Sequence, residues 1–236
     1  MTEESLILSI GSPARGIGAR LFQWLGLCLT TRVCRLEVRV ESPLPVTPFM
    51  VCTNHASHLD SIAVMAALGM PFSSCALLAA EDYFFRNRMR LRALSRVLTL
   101  IPIRRQASAA SFRGTLEKCH IFFGHGGRVL IAYPEGSRGD GQVLRAFKRG
   151  PAAIALALGL PIIPGFVGGT NHILPKGRAI PRPGPIEVHF GRPLGVAADA
   201  AESASRRPSK TLTAELESRI RVLRSSAVGE ERRIIG

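Results

Sequence analysis

Two imidazoles, a hydroxyl and a carboxylate fall within six residues in the stretch Asn54-His55-Ala56-Ser57-His58-Leu59-Asp60. An apolar, strand-like run (Phe49-Met50-Val51-Cys52) leads into it and a helix-like run (Ile62 to Leu68) follows. The cluster therefore sits where a buried strand turns into a helix, a place where α/β folds build ligand sites. Three chemistries fit. Ser57 and Asp60 have the spacing of a capping box, with the hydroxyl accepting from the first helical amides and the carboxylate reaching back. His55, His58 and Asp60, completed by His120 or His125, offer nitrogen and oxygen donors suited to zinc or iron. Finally, His55 paired with Asp60 makes a general base: the carboxylate fixes the ring's tautomer and stabilises its protonated form while the imidazole takes a proton from a hydroxyl. A cap and a base are compatible, since a turn held by its cap also holds the ring.

A second stretch, Tyr133-Pro134-Glu135-Gly136-Ser137-Arg138-Gly139-Asp140-Gly141, ends the apolar run Val129-Leu130-Ile131-Ala132. Its glycines let the backbone approach an anion closely, and Arg138 supplies a planar fork suited to phosphate oxygens. His-x4-Asp after an asparagine, then Pro-Glu-Gly-Ser-Arg after a strand, resemble the ordered motifs of the glycerolipid acyltransferases. The likeness is to the 1-acylglycerol-3-phosphate O-acyltransferase branch and covers residues 35–195. It implies that His55 is the general base oriented by Asp60, and that Arg105, Glu135, Gly136, Ser137 and Arg138 hold the acceptor's phosphate. Arg105 aligns with a strand-ending arginine of the family, but Arg104 stands where an acid is common and the usual preceding glycine and phenylalanine are absent. Glu135 cannot bind phosphate by charge, so its role is to position Arg138 or a backbone amide. Lys148, in the later block Phe147-Lys148-Arg149-Gly150, is either a further anion ligand or a surface residue.

The implied reaction moves a fatty acyl group from acyl-CoA or acyl carrier protein to a lysophospholipid, giving phosphatidic acid, with neither cofactor nor metal. Another lysolipid, such as a lyso-aminolipid, or glycerol-3-phosphate is the alternative acceptor. With 31 basic and 17 acidic residues the chain carries a net charge of +14, which calls for anionic partners. A nucleic-acid-binding module and a metal-dependent hydrolase are the rivals from other classes. One Trp, two Tyr and no zinc-finger spacing argue against nucleic acid. The five cysteines lack paired spacing and read as reduced packing residues.

To position these motifs the chain needs an α/β fold with a mixed, largely parallel central sheet flanked by helices. Residues 1–34 read as a tail and a membrane-interface helical segment: Leu21, Phe22, Trp24, Leu25, Leu27 and Leu29 form an apolar stretch between Arg15, Arg20, Arg32 and Arg35, too short to span a bilayer. A core-packing first helix is the alternative reading. Residues 35–195 form the catalytic domain, and 196–236 a polar linker plus an amphipathic helix with Leu212, Leu216, Ile220 and Leu223 on one face. Uncharged runs at 61–80 and 150–171 are each broken by Pro and Gly and read as helix then buried strand rather than as spans. An arginine-rich helix is predicted over 82–98, a basic loop over 171–185, and a final strand at 186–190 with His189 on its polar side. Without the basic n-region of a signal peptide, the protein is placed at the cytoplasmic face of the membrane as a peripheral or monotopic enzyme on an anionic surface, with no nucleic-acid partner.

Overall fold

Apolar runs that do not alternate belong inside a sheet covered on both faces, and in a computed structural model of the chain they form one. The structure describes residues 16–46, 48–81, 93–104, 108–141, 143–178, 180–195 and 208–235, with side chains through 227. Seven strands, β1 (Leu36–Val40), β2 (Phe49–Thr53), β3 (Cys75–Ala80), β4 (Thr99–Ile103), β5 (Val129–Ala132), β6 (Ile162–Gly168) and β7 (Ile186–Phe190), lie in the order β1-β7-β6-β2-β5-β3-β4. All neighbours pair in parallel except β6 and β7. The five strands from β6 to β4 thus share one carboxyl edge, while β7 and β1 run the other way. A mixed, largely parallel sheet is what the apolar runs imply.

Helix α1 (Ile17–Cys28) continues into a wider turn at Leu29–Val33, and α2 spans Leu59–Ala67, α3 Ala109–Gly124, α4 Gly150–Ala157, α5 Thr170–Ile173 and α6 Ser209–Ile235. Leu59, Ala63, Val64 and Met65 of α2 pack with Val51, Leu77 and Ile131 on one face of the sheet. Cys119 and Phe122 of α3, Ala152 and Ile154 of α4, and Leu212, Leu216 and Ile220 of α6 pack with Met50, Cys52 and Leu130 on the other. Adjacent strands β2 and β5 therefore send their following helices to opposite faces. Such a change of winding opens a crevice at the carboxyl ends of the two strands, and the two sequence motifs begin there.

The runs at 61–80 and 150–171 resolve into helix, short turn and buried strand, and among the described residues no helix is long and apolar enough to cross a membrane. Of the arginine-rich helix predicted over 82–98, residues 82–92 lie outside the described residues. The loop predicted over 171–185 begins instead with α5, and His189 does not lie on a polar side. Its ring is 5% exposed, edge-on to Phe166 at 6.4 Å, with Nε2 3.3 Å from Glu187. The alternation of β7 suggested an open face, but α6 lies across the sheet there, as the shared burial of Phe166, Leu223 and Ala227 shows. Burial accordingly pushes the His189 imidazole below its ordinary pKa, against the pull of Glu187.

The first helix has one packed face and one open one. Ala19 and Gly26 are buried, Gly26 close against Ile62 and Phe72, whereas Ile17, Leu21, Trp24 and Leu25 are 87%, 54%, 60% and 51% exposed and share one helical stripe. At the other end of the molecule's logic, α5 starts from Gly169 at φ +82°, where an added Cβ would stand 2.1 Å from the Pro185 carbonyl oxygen. Gly169→Ala is expected to lower stability by about 2–3 kcal/mol through the left-handed backbone and this backbone clash. Urea unfolding measures it, and an unchanged midpoint would show that the α5 entry tolerates a side chain.

Candidate active site

Strand β2 leaves the sheet at Asn54, whose side chain takes over the strand's role. Its Nδ2 donates to the Val167 carbonyl (2.9 Å) and its Oδ1 accepts from the Val167 amide (2.8 Å). Two buried main-chain groups of β6 that β2 can no longer reach are thereby satisfied. The next residues form the turn into α2. Ser57 Oγ accepts from the Leu59 amide (3.2 Å) and donates to the Leu174 carbonyl (2.7 Å). Asp60 Oδ2 reaches back to the amides of Ala56 (2.7 Å) and Ser57 (2.9 Å). This is the capping arrangement, and the same oxygen lies 2.8 Å from His55 Nδ1. The cap and the His-carboxylate pair are one device.

Asp60 is fully buried, with a side chain 0% exposed against 16% for His55. Its other oxygen accepts from the Thr170 hydroxyl on α5. Every further partner of this carboxylate is a donor, so the pairing calls for His55 Nδ1 to donate as well, which in the neutral ring leaves the lone pair on Nε2. Tyr133 stacks on the imidazole at 3.9 Å between centroids, 16° from parallel, while its hydroxyl is hydrogen-bonded to Ser61 of α2 (2.7 Å). Burial and the Asp60 charge raise the phenol pKa, so Tyr133 stays neutral. An imidazolium formed on this face gains from the ring's electrons.

Glu135 is buried and does what charge forbids it to do with phosphate: it holds amides. Oε1 accepts from the His55 amide (2.8 Å) and Oε2 from the Arg145 amide (3.1 Å), while the Gly139 amide donates to the His55 carbonyl (2.8 Å). Burial pushes the Glu135 carboxyl above its usual range, and these amides and nearby positive charge pull it back. Arg145 Nη1 donates to Ser137 Oγ (2.8 Å). Gly136, at φ +70°, lies under the stem of Lys148, where an added Cβ would stand 2.8 Å from Cε. Lys148 itself is exposed, and Arg138 is half-buried in the same loop.

The two motifs are therefore in contact, and His55, Asp60 and Glu135 are bonded directly. Gly136, Ser137 and Arg138 follow on the same loop. Arg105 lies outside the described residues, and its neighbour Arg104 is paired with Glu81. His58, His120 and His125 are exposed, and among the described residues no three His, Cys, Asp or Glu side chains gather where they could hold an ion. Tyr133, Arg145 and Thr170 were not legible as site residues. Tyr133 stood beside the second motif, but nothing near Thr170 marks it.

Residues 35–168 match the family model described as Acyltransferase. The chain belongs to that family. A 1-acyl-sn-glycerol-3-phosphate acyltransferase of Limnanthes alba is 32% identical over 143 residues, 60% of this chain and 48% of that protein. The 1-acyl-sn-glycerol-3-phosphate acyltransferase alpha of Mus musculus is 29% identical over 131 residues, 55% of this chain and 44% of that one. The chain thus spans about half the length of the curated relatives it matches. The crystal structure of the 1-acyl-sn-glycerophosphate acyltransferase PlsC from Thermotoga maritima superposes with a TM-score of 0.54 at 22% identity, covering 85% of this chain and 78% of that one; the likeness is one of fold.

Glu135→Gln is expected to cost about 2 kcal/mol, because the amide side chain can accept through one atom only and turns a donor toward either His55 or Arg145 N–H. Urea unfolding together with hydrogen exchange at the His55 amide checks it; wild-type protection of that amide would show that Glu135 does not hold the loop.

Proposed function

We propose that the protein transfers a fatty acyl group from a thioester to the free hydroxyl of 1-acylglycerol-3-phosphate, forming phosphatidic acid. The single observation that supports this most is the His55 ring, with Nδ1 on Asp60, a face on Tyr133 and its own amide on Glu135 of the glycine-rich loop. His55 Nε2 takes the proton of the acceptor hydroxyl as that oxygen attacks the thioester carbonyl carbon. The carbon–oxygen bond forms, the carbon–sulfur bond breaks, and the proton passes from the imidazolium to the departing thiolate. Asp60 and the Tyr133 face stabilise the charged ring between those steps. Arg138 and Arg105 attract the acceptor's phosphate, and Gly136 and Ser137 shape the loop that carries it. The names of the relatives favour this acceptor, and the donor is acyl-CoA or acyl carrier protein.

His55→Ala is expected to lower kcat by at least ~10³-fold and Asp60→Asn by at least ~10²-fold without unfolding the protein, while Arg138→Ala raises KM for the phosphorylated acceptor. Incubation with acyl thioesters and a panel of lysolipids, with products read by mass, tests all three. Near-normal turnover in His55→Ala removes the base, and a donor-side KM effect of Arg138→Ala removes its role at the phosphate.

A lysophospholipid resides in a bilayer, and the exposed stripe Ile17, Leu21, Trp24 and Leu25 offers apolar surface to one. We infer peripheral attachment to the anionic cytoplasmic leaflet through this stripe and the basic surface, which adds about 1 kcal/mol per Lys or Arg near the membrane. A form lacking residues 1–34 should no longer sediment with anionic vesicles; equal sedimentation of both forms excludes α1 as the anchor.

A further inference from the structure

Beside the His55 turn, at the corner where β6 meets α5, lies a cavity of about 520 Å³. That is within the usual size range of small-molecule sites. It is built at the same carboxyl edge of the sheet by the end of β6, by α5, by the segment 182–185 that feeds β7, and by α6. Phe166, Val167 and Ile173 give it apolar walls, and Arg182, Arg224 and His172 also line it. Glu187 brings one carboxylate, which sits 3.3 Å from His189 Nε2. Among the described residues that line it, two guanidiniums stand against one such carboxylate, a balance that favours an anion. Ala56, the residue after His55, lines it as well, and so do Gly141 and Asn171. Asn171 donates to the Asp140 carbonyl at 3.1 Å, which joins α5 to the glycine-rich loop.

Taking the proposed acyl transfer as given, we infer that this cavity receives the phosphopantetheine arm of the acyl donor. The arm is a narrow chain of amides and apolar groups with a phosphate at one end and the thioester at the other, so it matches apolar walls with arginines among them. The sheet order supports the division. The glycine-rich loop follows β5, Arg104 follows β4, and both strands lie on one side of β2; β6 and β7 lie on the other. Two reactants that must meet at His55 need separate approaches, so that hydroxyl and carbonyl converge from opposite directions. The acceptor takes the β5 side and the donor the β6 side.

The test combines binding and kinetics on the full chain, with Arg182→Glu and the milder Arg224→Gln, singly and together. Calorimetry measures binding of CoA and of free phosphopantetheine; steady-state assays compare acyl-CoA, acyl carrier protein, acyl-phosphopantetheine and acyl-pantetheine, which lacks the phosphate. The double variant should unfold at the wild-type temperature, raise KM at least ~10-fold for the three phosphate-bearing donors, leave acyl-pantetheine unchanged, and leave the lysolipid KM within about twofold. A penalty confined to acyl-CoA places the arginines on the nucleotide and overturns the assignment, as does an equal rise in both substrates' KM. An active enzyme whose donor KM ignores both substitutions overturns the donor site and leaves the proposed reaction standing. A protein inactive on every acceptor that still binds phosphopantetheine through these arginines sinks the reaction and keeps the site; no binding by the wild type sinks the site.

Discussion

A buried carboxylate is tolerated only when its lone pairs are filled, and Asp60 fills them with the parts that the site is made from. One oxygen gathers the His55 ring and the amides of Ala56 and Ser57; the other takes the Thr170 hydroxyl. The same charge therefore shapes the turn, starts α2, selects the tautomer of His55 and ties β2's exit to β6's. None of these can be adjusted alone. A carboxylate one methylene longer could not reach back to two amides at such spacing without moving the imidazole, which is a physical reason for Asp at this position.

Around that anchor the loops are held by side chains standing in for backbone. Asn54 completes the pairing of β6 after β2 has turned away, and Glu135 accepts the amide of His55 and of Arg145 at once. Both are polar, both are buried, and both bond groups distant in the chain. Their effect is to remove freedom from the ring of His55 before any substrate arrives, which is where positioned catalytic groups gain most of their advantage. The acid within the glycine-rich loop then has a plain meaning: it fixes that loop to His55.

What could be read from the sequence follows the range of the forces involved. Unbroken apolar runs at 49–52 and 129–132 marked central strands because covering on both faces acts on every residue of the run. The His55-Asp60 pair and the Ser57 cap were legible because their partners are local. Thr170 was not, since it meets Asp60 across 110 residues of sequence, and an isolated threonine after two glycines carries no local signal. Arg145 likewise carries no local signal in a chain with 31 basic residues. His189 misled for a related reason: alternation reports what a strand's own residues prefer, whereas the packing of α6 over β7 decided which face stayed open. At the edge strand β1, Leu36-Glu37-Val38-Arg39-Val40 alternates apolar with charged residues, yet Val38 and Val40 are both exposed.

The sheet's reversal at β7 has a consequence for chemistry. Were β7 parallel to β6, its entry would lie at the amino edge, far from the His55 turn. Running antiparallel, it brings residues 182–185 to the carboxyl edge, beside Gly168 and Gly169, and the register Gly168 with Glu187 fixes how near they come. Helix α6 follows the direction of β6, with Leu212 near Gly195 at one end and Ala227 near Phe166 at the other, so its second half reaches the same edge with Arg224. One antiparallel strand thus adds a second wall to a crevice that the change of winding between β2 and β5 had opened on the other side. His55, at the end of β2, stands between the two, and only a central strand of such a sheet could put it there.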